Sequence, residues 1–279
     1  MRRIVLAVLV VVTATGCDWT MYGFGPDHTR NNGSEVEIGL TNVATLKSRW
    51  TATTGNGIGS SPAVANGTVY VGSADGKLYA FATDHGAPRW TAAAGSATGD
   101  GVGSSPAVAN GVVYVGSNDH KLYAFDATGT TGCGGTPKTC GPLWTGATTL
   151  TDVVASSPAV ANGVVYVGAD DHRLWAFDAA GSIGCSGVPK TCVALWTANT
   201  GSAVVSSPAV ANGVVYVGSS DNRLYAFDAA GNVSCSGTPK ACKALWSLTT
   251  GAVVDSSPAV ANGAIYVGSN DHKLYAIGR

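Results

Sequence analysis

The stretch from Ser206 to Asp228 reads Ser-Ser-Pro-Ala-Val-Ala-Asn-Gly-Val-Val-Tyr-Val-Gly-Ser-Ser-Asp-Asn-Arg-Leu-Tyr-Ala-Phe-Asp. It contains three short apolar runs, Pro208 to Ala211, Val214 to Val217 and Leu224 to Phe227, which are separated by Asn-Gly and by Ser-Ser-Asp-Asn. Runs of this length between turn signals are typical of β-strands. The stretch therefore predicts a meander of three antiparallel strands.

Very similar stretches occur five times in the chain. They begin at Ser60, Ser104, Ser156, Ser206 and Ser256, and we number the repeats one to five in that order. Their starts are 44, 52, 50 and 50 residues apart, a period typical of solenoids and propellers rather than of one globular core. The chain is therefore predicted to be five copies of one sheet.

A fourth strand is predicted after each of the first four repeats, and it begins with a tryptophan. The tryptophans at these positions are Trp90, Trp144, Trp196 and Trp246, and Trp50 precedes repeat one in the same way. Repeat five has no such strand after it, so we expect residues 46–54 to pair with the last sheet. The prediction is an all-β, five-bladed β-propeller of four-stranded antiparallel blades, closed by an N-terminal strand. An open or partner-completed arc is the alternative.

The N-terminus has the features of an export signal. Met1-Arg2-Arg3 precedes nine apolar residues, Ile4 to Val12, which are too few to span a bilayer. Cys17 after Gly16 resembles the lipobox of bacterial lipoproteins, although Ala14 stands where that motif usually has Leu. We expect a signal peptide (1–16), an N-terminal arm (17–45) and the repeats (46–279). The predicted product is an extracytoplasmic lipoprotein anchored through Cys17 at the cell surface or in the periplasm, with ordinary secretion as the alternative.

Six further cysteines form three pairs of equal spacing. The pairs are Cys133 with Cys140, Cys185 with Cys192, and Cys235 with Cys242. In an exported chain this pattern predicts three local disulfides, each contributing roughly 2 to 3 kcal/mol by restricting the unfolded chain. Zinc binding is the competing interpretation, but such sites usually have shorter Cys spacings and His partners.

Composition and charge limit the class of partner. About 45% of the residues are hydrophobic, 12% are charged, and the formal net charge is -1. No basic stripe is present to neutralise phosphates, so nucleic acid is not an expected partner.

The repeat resembles the pyrroloquinoline quinone (PQQ)-type β-propeller repeat from about residue 46 to the last residue. The resemblance is carried by Ser-Ser-Pro-Ala-Val-Ala-Asn-Gly-Val-Val-Tyr-Val-Gly-Ser, a following Asp, Leu-Tyr-Ala-Phe-Asp-Ala and a Trp strand. The family includes quinoprotein dehydrogenases and the noncatalytic BamB-like assembly lipoproteins. The repeat implies an architecture and not a particular chemistry.

Two sets of polar residues are candidates for a site. Asn56, Asp100, Asp152 and Asp255 lie in the variable loops that enter the first strand of a repeat, and we expect them at the mouth of a central channel, with the paired serines beside them. The alternative is that they only shape glycine-rich turns. The second set is the hairpin tips, where Asp is followed by Gly, His or Asn. These residue types tolerate positive φ, so turn geometry explains them better than a ring of metal ligands.

Three classes of function follow. The first is a noncatalytic binding or assembly scaffold with a protein or cell-envelope partner, and it is the preferred one, with no cofactor expected. The second is a PQQ- and calcium-dependent alcohol dehydrogenase, whose relatives hold the quinone over adjacent cysteines and use Glu among the calcium ligands. This chain has no Cys-Cys dipeptide, and its only two glutamates, Glu35 and Glu37, lie in the arm. The third is a carbohydrate-binding propeller, which would need an exposed aromatic residue in each blade.

Overall fold

The computed structural model describes residues 18–28, 32, 35, 37–95, 101–147 and 153–279. Over these residues the protein is all-β apart from one 3₁₀ helix, Val43–Thr45. The strands are, in chain order, β1 (Ala63–Ala65), β2 (Thr68–Ser73), β3 (Lys77–Ala82), β4 (Pro88–Ala93), β5 (Ala107–Ala109), β6 (Val112–Gly116), β7 (Lys121–Asp126), β8 (Cys133–Gly134), β9 (Thr139–Cys140), β10 (Trp144–Ala147), β11 (Ala159–Ala161), β12 (Val164–Ala169), β13 (Arg173–Asp178), β14 (Cys185–Ser186), β15 (Lys190–Cys192), β16 (Trp196–Asn199), β17 (Ala209–Ala211), β18 (Val214–Ser219), β19 (Arg223–Asp228), β20 (Cys235–Ser236), β21 (Lys240–Cys242), β22 (Trp246–Thr249), β23 (Ala259–Ala261), β24 (Ala264–Ser269) and β25 (Lys273–Gly278).

Repeat four folds as the sequence predicts. Strands β17, β18 and β19 pair antiparallel in chain order, with Ala209 opposite Tyr216 and Tyr216 opposite Ala226. The turn between β17 and β18 is Asn212-Gly213, and both residues have positive φ, 51° and 77°. A two-residue turn of this kind requires residues that accept positive φ, so Asn-Gly determines the hairpin. The other four repeats form the same three-stranded meander.

The described strands form five separate sheets of six, six, six, four and three strands. Four sheets contain a Trp strand as the fourth strand, as predicted. The two extra strands of the first three sheets were not predicted. They are the disulfide hairpin of the following repeat, which pairs parallel with the fourth strand, as Lys190 of β15 does with Trp144 of β10. A fourth strand would otherwise present an unpaired edge to solvent, and the hairpin covers it.

The three predicted disulfides are confirmed. Cys133–Cys140, Cys185–Cys192 and Cys235–Cys242 each join the two strands of such a hairpin. The sheet order places them at the opposite edge from the first strand of the sheet.

The predicted closure by residues 46–54 is not confirmed. This segment forms no strand, and the last sheet consists of β23, β24 and β25 alone. Trp50 instead donates from its indole Nε1 to the carbonyl of Thr83 in the first sheet, at 2.9 Å. The last sheet consequently has an open side, where Leu274 is 75% exposed, whereas its four equivalents in the other repeats are fully buried. The sequence period defines the strands of each repeat but not the rotation between sheets, which decides whether the ends meet.

The first part of the arm lies along the first strands of the sheets, a placement that was not predicted from the sequence. The Val64 amide donates to Trp19 O at 2.6 Å, and three other first strands bond to Thr20, Pro26 and Asp27 in the same way. The first strand of each sheet pairs with a neighbour on one side only, so its other edge needs hydrogen-bond acceptors. The arm supplies these acceptors.

The core lies between successive sheets and is built from the repeated aromatic residues. Trp90, Trp144 and Trp196 are each 2% exposed or less. Trp144 packs against Tyr114 and Phe177, with ring centroids 5.9 and 6.1 Å apart. These aromatic residues are buried in the first three sheets, whereas Trp246 of the fourth sheet and Tyr266 of the last are exposed by more than a third.

Candidate functional site

The antiparallel pairing defines two ends of each sheet. The first strand begins, and the second and third strands are joined, at one end, which we call the entrance end. The Asn-Gly turns and the disulfide hairpins, which follow the third strand, lie at the other end, which we call the hairpin end. Asn56 and Asp255, the two described residues of the predicted candidate site, lie at the entrance end.

The paired serines at the entrance end join neighbouring sheets. The backbone amide of the second serine in one repeat donates to the hydroxyl of the second serine in the next, as Ser105 does to Ser157 at 3.0 Å. Four such bonds run from Ser61 to Ser257 at 2.9 to 3.0 Å. The first serine of the pair instead binds within its own sheet, since the Ser156 hydroxyl lies 3.0 Å from Gly168 O. Both serines therefore have structural partners that the sequence did not suggest.

The predicted channel-mouth residues have separate environments in the part of the chain that is described. Asn56 is exposed, and its Oδ1 accepts from the Gly57 amide at 2.8 Å, which is the turn-shaping bond of the alternative interpretation. Asp255 lies in the loop entering the last sheet and accepts from the Ser220 hydroxyl of the fourth sheet at 2.9 Å. Asp100 and Asp152 lie outside the described residues. A ligand site formed by these four residues stays a prediction.

The hairpin tips at the entrance end are turns, as predicted. His120, His172, Asn222 and His272 all have φ between 67° and 72°. The preceding Asp holds the tip together and joins it to the end of an earlier strand: Asp271 accepts from the Tyr275 hydroxyl at 2.6 Å and from the Gly251 amide at 2.9 Å. The hydrogen bond from Tyr275 lowers the pKa of Asp271 to about 2. Within the described ranges, no group of three or more His, Cys, Asp or Glu side chains is placed to hold a metal ion.

Each junction between the first four sheets also has a shared carbonyl acceptor. Tyr114 and Trp144 of the second sheet both donate to Ala179 O of the third, at 2.9 and 3.3 Å. The equivalent bonds from Tyr166 and Trp196 end on Ala229 O. Burial, with a smaller contribution from Asp228, raises the pKa of Tyr166 to about 12, so this hydroxyl stays protonated and remains a donor.

A groove of about 500 Å³ lies between the fourth and the last sheet, lined by apolar residues such as Tyr216 and Trp246 of the fourth sheet and Ile265 and Ile277 of the last. No sequence signal indicated it, because the same residue types are buried in the other repeats. In the residues that can be described, no helix is both long enough and apolar enough to cross a membrane.

These features define a class of protein, a repeat protein of four-stranded sheets arranged as in a propeller. The family model described as "Outer membrane protein assembly factor BamB" matches residues 35–147 and 189–279, and the chain belongs to this family. No curated protein matches the sequence.

Solved structures show the same fold. BamB from Moraxella catarrhalis is 18% identical, with a TM-score of 0.61, over 83% of this chain and 61% of that one. The quinohemoprotein alcohol dehydrogenase of Comamonas testosteroni is 18% identical, with a TM-score of 0.66, over 94% of this chain and 49% of that one. The corresponding enzyme of Pseudomonas putida is 17% identical, with a TM-score of 0.63, over 94% and 48%. The chain thus spans about three fifths of the BamB structure and about half of each dehydrogenase.

Proposed function

We propose that this protein is a noncatalytic extracytoplasmic scaffold that binds a protein or another component of the cell envelope. The observation that carries the proposal is the family match, because it covers more than half of the chain and belongs to an assembly factor. The hydrogen bonds at the entrance end agree with a scaffold role. The paired serines and the tip aspartates described above are engaged in joining sheets, as expected of residues that maintain a scaffold.

The alternative is an alcohol dehydrogenase, which the structural similarity to the two quinohemoprotein enzymes favours. The residues present do not fit a quinone held over adjacent cysteines. All six repeat cysteines are paired in hairpins at the outer edges of the sheets, away from the first strands. We therefore derive no reaction step through this cofactor.

Incubation with PQQ and calcium separates the two functions. We expect the purified protein to show no bound-quinone absorbance and no dye-linked oxidation of primary alcohols, with a quinoprotein dehydrogenase as the positive control. Alcohol oxidation that depends on added PQQ would make the dehydrogenase the preferred function.

Crosslinking in intact cells, followed by purification, is expected to yield a defined adduct between this protein and its partner. A weaker adduct after Asn56→Ala, Asp100→Ala, Asp152→Ala and Asp255→Ala combined would support a binding site at the channel mouth.

We also propose that the five sheets close into a ring, with residues 46–54 completing the last blade. Three observations support this. Trp50 donates to Thr83 O as Trp144 donates to Ala179 O, so it occupies the position of a tryptophan from a preceding sheet. The serine ladder has four bonds, and a fifth, from the Ser257 amide to Ser61, would complete the circle.

The third observation concerns a glycine of the second strand. In the first four sheets this glycine faces a buried valine from the loop entering the next sheet, as Gly116 faces Val154. In the last sheet the equivalent Gly268 meets only Ser256, while Ile58, the equivalent of those valines, is 49% exposed. Ring closure would bring Ile58 to Gly268.

Gly268→Ala tests closure directly. In a closed ring the added methyl group collides with Ile58, and we expect a loss of about 2 kcal/mol in the free energy of unfolding, measured by urea denaturation. In an open arc the methyl group has room, and a change below about 0.5 kcal/mol would contradict closure. A loss that grows with protein concentration would indicate that the ends join between two copies instead.

The anchor completes the proposal. Cys17 lies outside the described residues, and its acylation, the cleavage after residue 16 and the location at the cell surface or in the periplasm are proposed from the sequence alone. Labelled palmitate should enter the wild-type protein but not the Cys17→Ala variant. Uptake that survives this substitution would remove the anchor from the proposal.

A further inference from the structure

The arm enters the repeats from the hairpin end. Trp19 forms an antiparallel bridge with Val64 of β1, which runs towards the hairpin end, so the arm runs away from that end. Asp18 lies at the Asn66 turn and accepts from its amide at 3.2 Å. Asp18, the first residue that the structure describes, therefore lies at the hairpin end.

Very little chain separates Cys17 from the folded body. Trp19 O is already bonded to the Val64 amide at 2.6 Å. Two extended residues span at most about 7 Å. A lipid on Cys17 would therefore lie within two residues of Trp19, so the hairpin end is the end that would face the bilayer in which the lipid inserts.

Exposed apolar side chains lie on the hairpins at that same end. Val188 at one hairpin tip is fully exposed, and Ile183, Val193 and Val233 are exposed by 57 to 62%. The hairpin tips come just before Lys190 and Lys240, which pair with the first residue of a fourth strand. The tips therefore extend beyond the start of that strand at the hairpin end. Ile183 and Val193 line a groove with the tip of the next hairpin, Gly237 to Lys240. Scattered apolar residues are ordinary on a surface, but these lie at the same end of the sheets as Asp18.

We infer that the hairpin end rests on the phospholipid surface, with Ile183, Val188, Val193 and Val233 in the headgroup layer. The inference deepens the proposed function and rests on its lipid anchor. Apolar side chains at the headgroup boundary add to the binding that an acyl anchor provides. The entrance end, with its variable loops, then points away from the membrane and is free to bind the partner.

The chain carries its own reporters for this orientation. Lys190 and Lys243 lie on the hairpins, and both are exposed. Lys121 and Lys273 begin third strands at the entrance end and are exposed as well. The acylated full chain would be bound to phosphatidylcholine vesicles, treated with a membrane-impermeant amine-acylating reagent and compared by mass spectrometry with the soluble Cys17→Ala protein.

We expect labelling of Lys190 and Lys243 to fall at least about threefold on vesicles, because adsorption at the interface buries the apolar face next to them. Labelling of Lys121 and Lys273 should not change. Equal labelling at both ends of an acylated, vesicle-bound protein, or protection at the entrance end, overturns the inference and leaves the anchor standing. A protein that carries no lipid on Cys17 and does not float with the vesicles overturns the anchor and the inference together.

Discussion

Replacing Trp144 by alanine is expected to lower the free energy of unfolding by about 4 kcal/mol. The indole is 1% exposed, packs on Tyr114 and Phe177, and donates to Ala179 O across the junction of the second and third sheets. Truncation leaves a large cavity and also leaves this junction with one hydrogen bond fewer. Urea denaturation followed by circular dichroism would measure the loss.

Trp246→Ala is the matched control, since Trp246 begins the fourth strand of the next-to-last sheet in the same way. It is 38% exposed, so its removal creates less of a cavity, and we expect a loss of about 1 to 2 kcal/mol. Equal losses for the two variants would show that burial between sheets does not determine stability, and would contradict the packing described here.

Gly116→Ala should destabilise the protein by about 2 kcal/mol, although alanine usually suits a strand better than glycine. A methyl group at this position would lie 2.6 Å from both the carbonyl oxygen and Cγ1 of Val154. The carbonyl belongs to the backbone, so the second and third sheets would have to move apart. The thermal midpoint and the urea midpoint should both fall.

Gly103→Ala provides the control for this substitution. Gly103 has no other atom within 4 Å of the added methyl group. Its replacement should leave stability unchanged within about 0.5 kcal/mol, or raise it slightly by restricting the unfolded chain. A Gly116→Ala variant as stable as the Gly103→Ala variant would exclude close contact between the second and third sheets.

Much of the candidate site could not be predicted from the sequence. Asn56 and Asp255 were recognised as polar residues in variable loops, and turn shaping, as Asn56 shows with Gly57, was the stated alternative, but the partner of Asp255, Ser220, belongs to a neighbouring sheet. The serine ladder was missed for the same reason, because its donors and acceptors are 44 to 52 residues apart. The tip turns were predicted correctly, since a preference for positive φ belongs to the residue itself.

The sequence by itself determined the number of repeats, the three strands of each, the Trp strand and the pairing of the cysteines. These features depend on short-range signals such as Asn-Gly turns, apolar runs and equal Cys spacing. Only the tertiary structure decided that the disulfide hairpins pair with the preceding sheet, that the arm lies along the inner strands and that Trp50 docks on the first sheet. Unpaired strand edges explain the placement of the disulfide hairpins and of the arm, and the rotation between sheets governs how the two ends of the chain are placed. Neither the pairing between sheets nor this rotation is encoded in any single repeat.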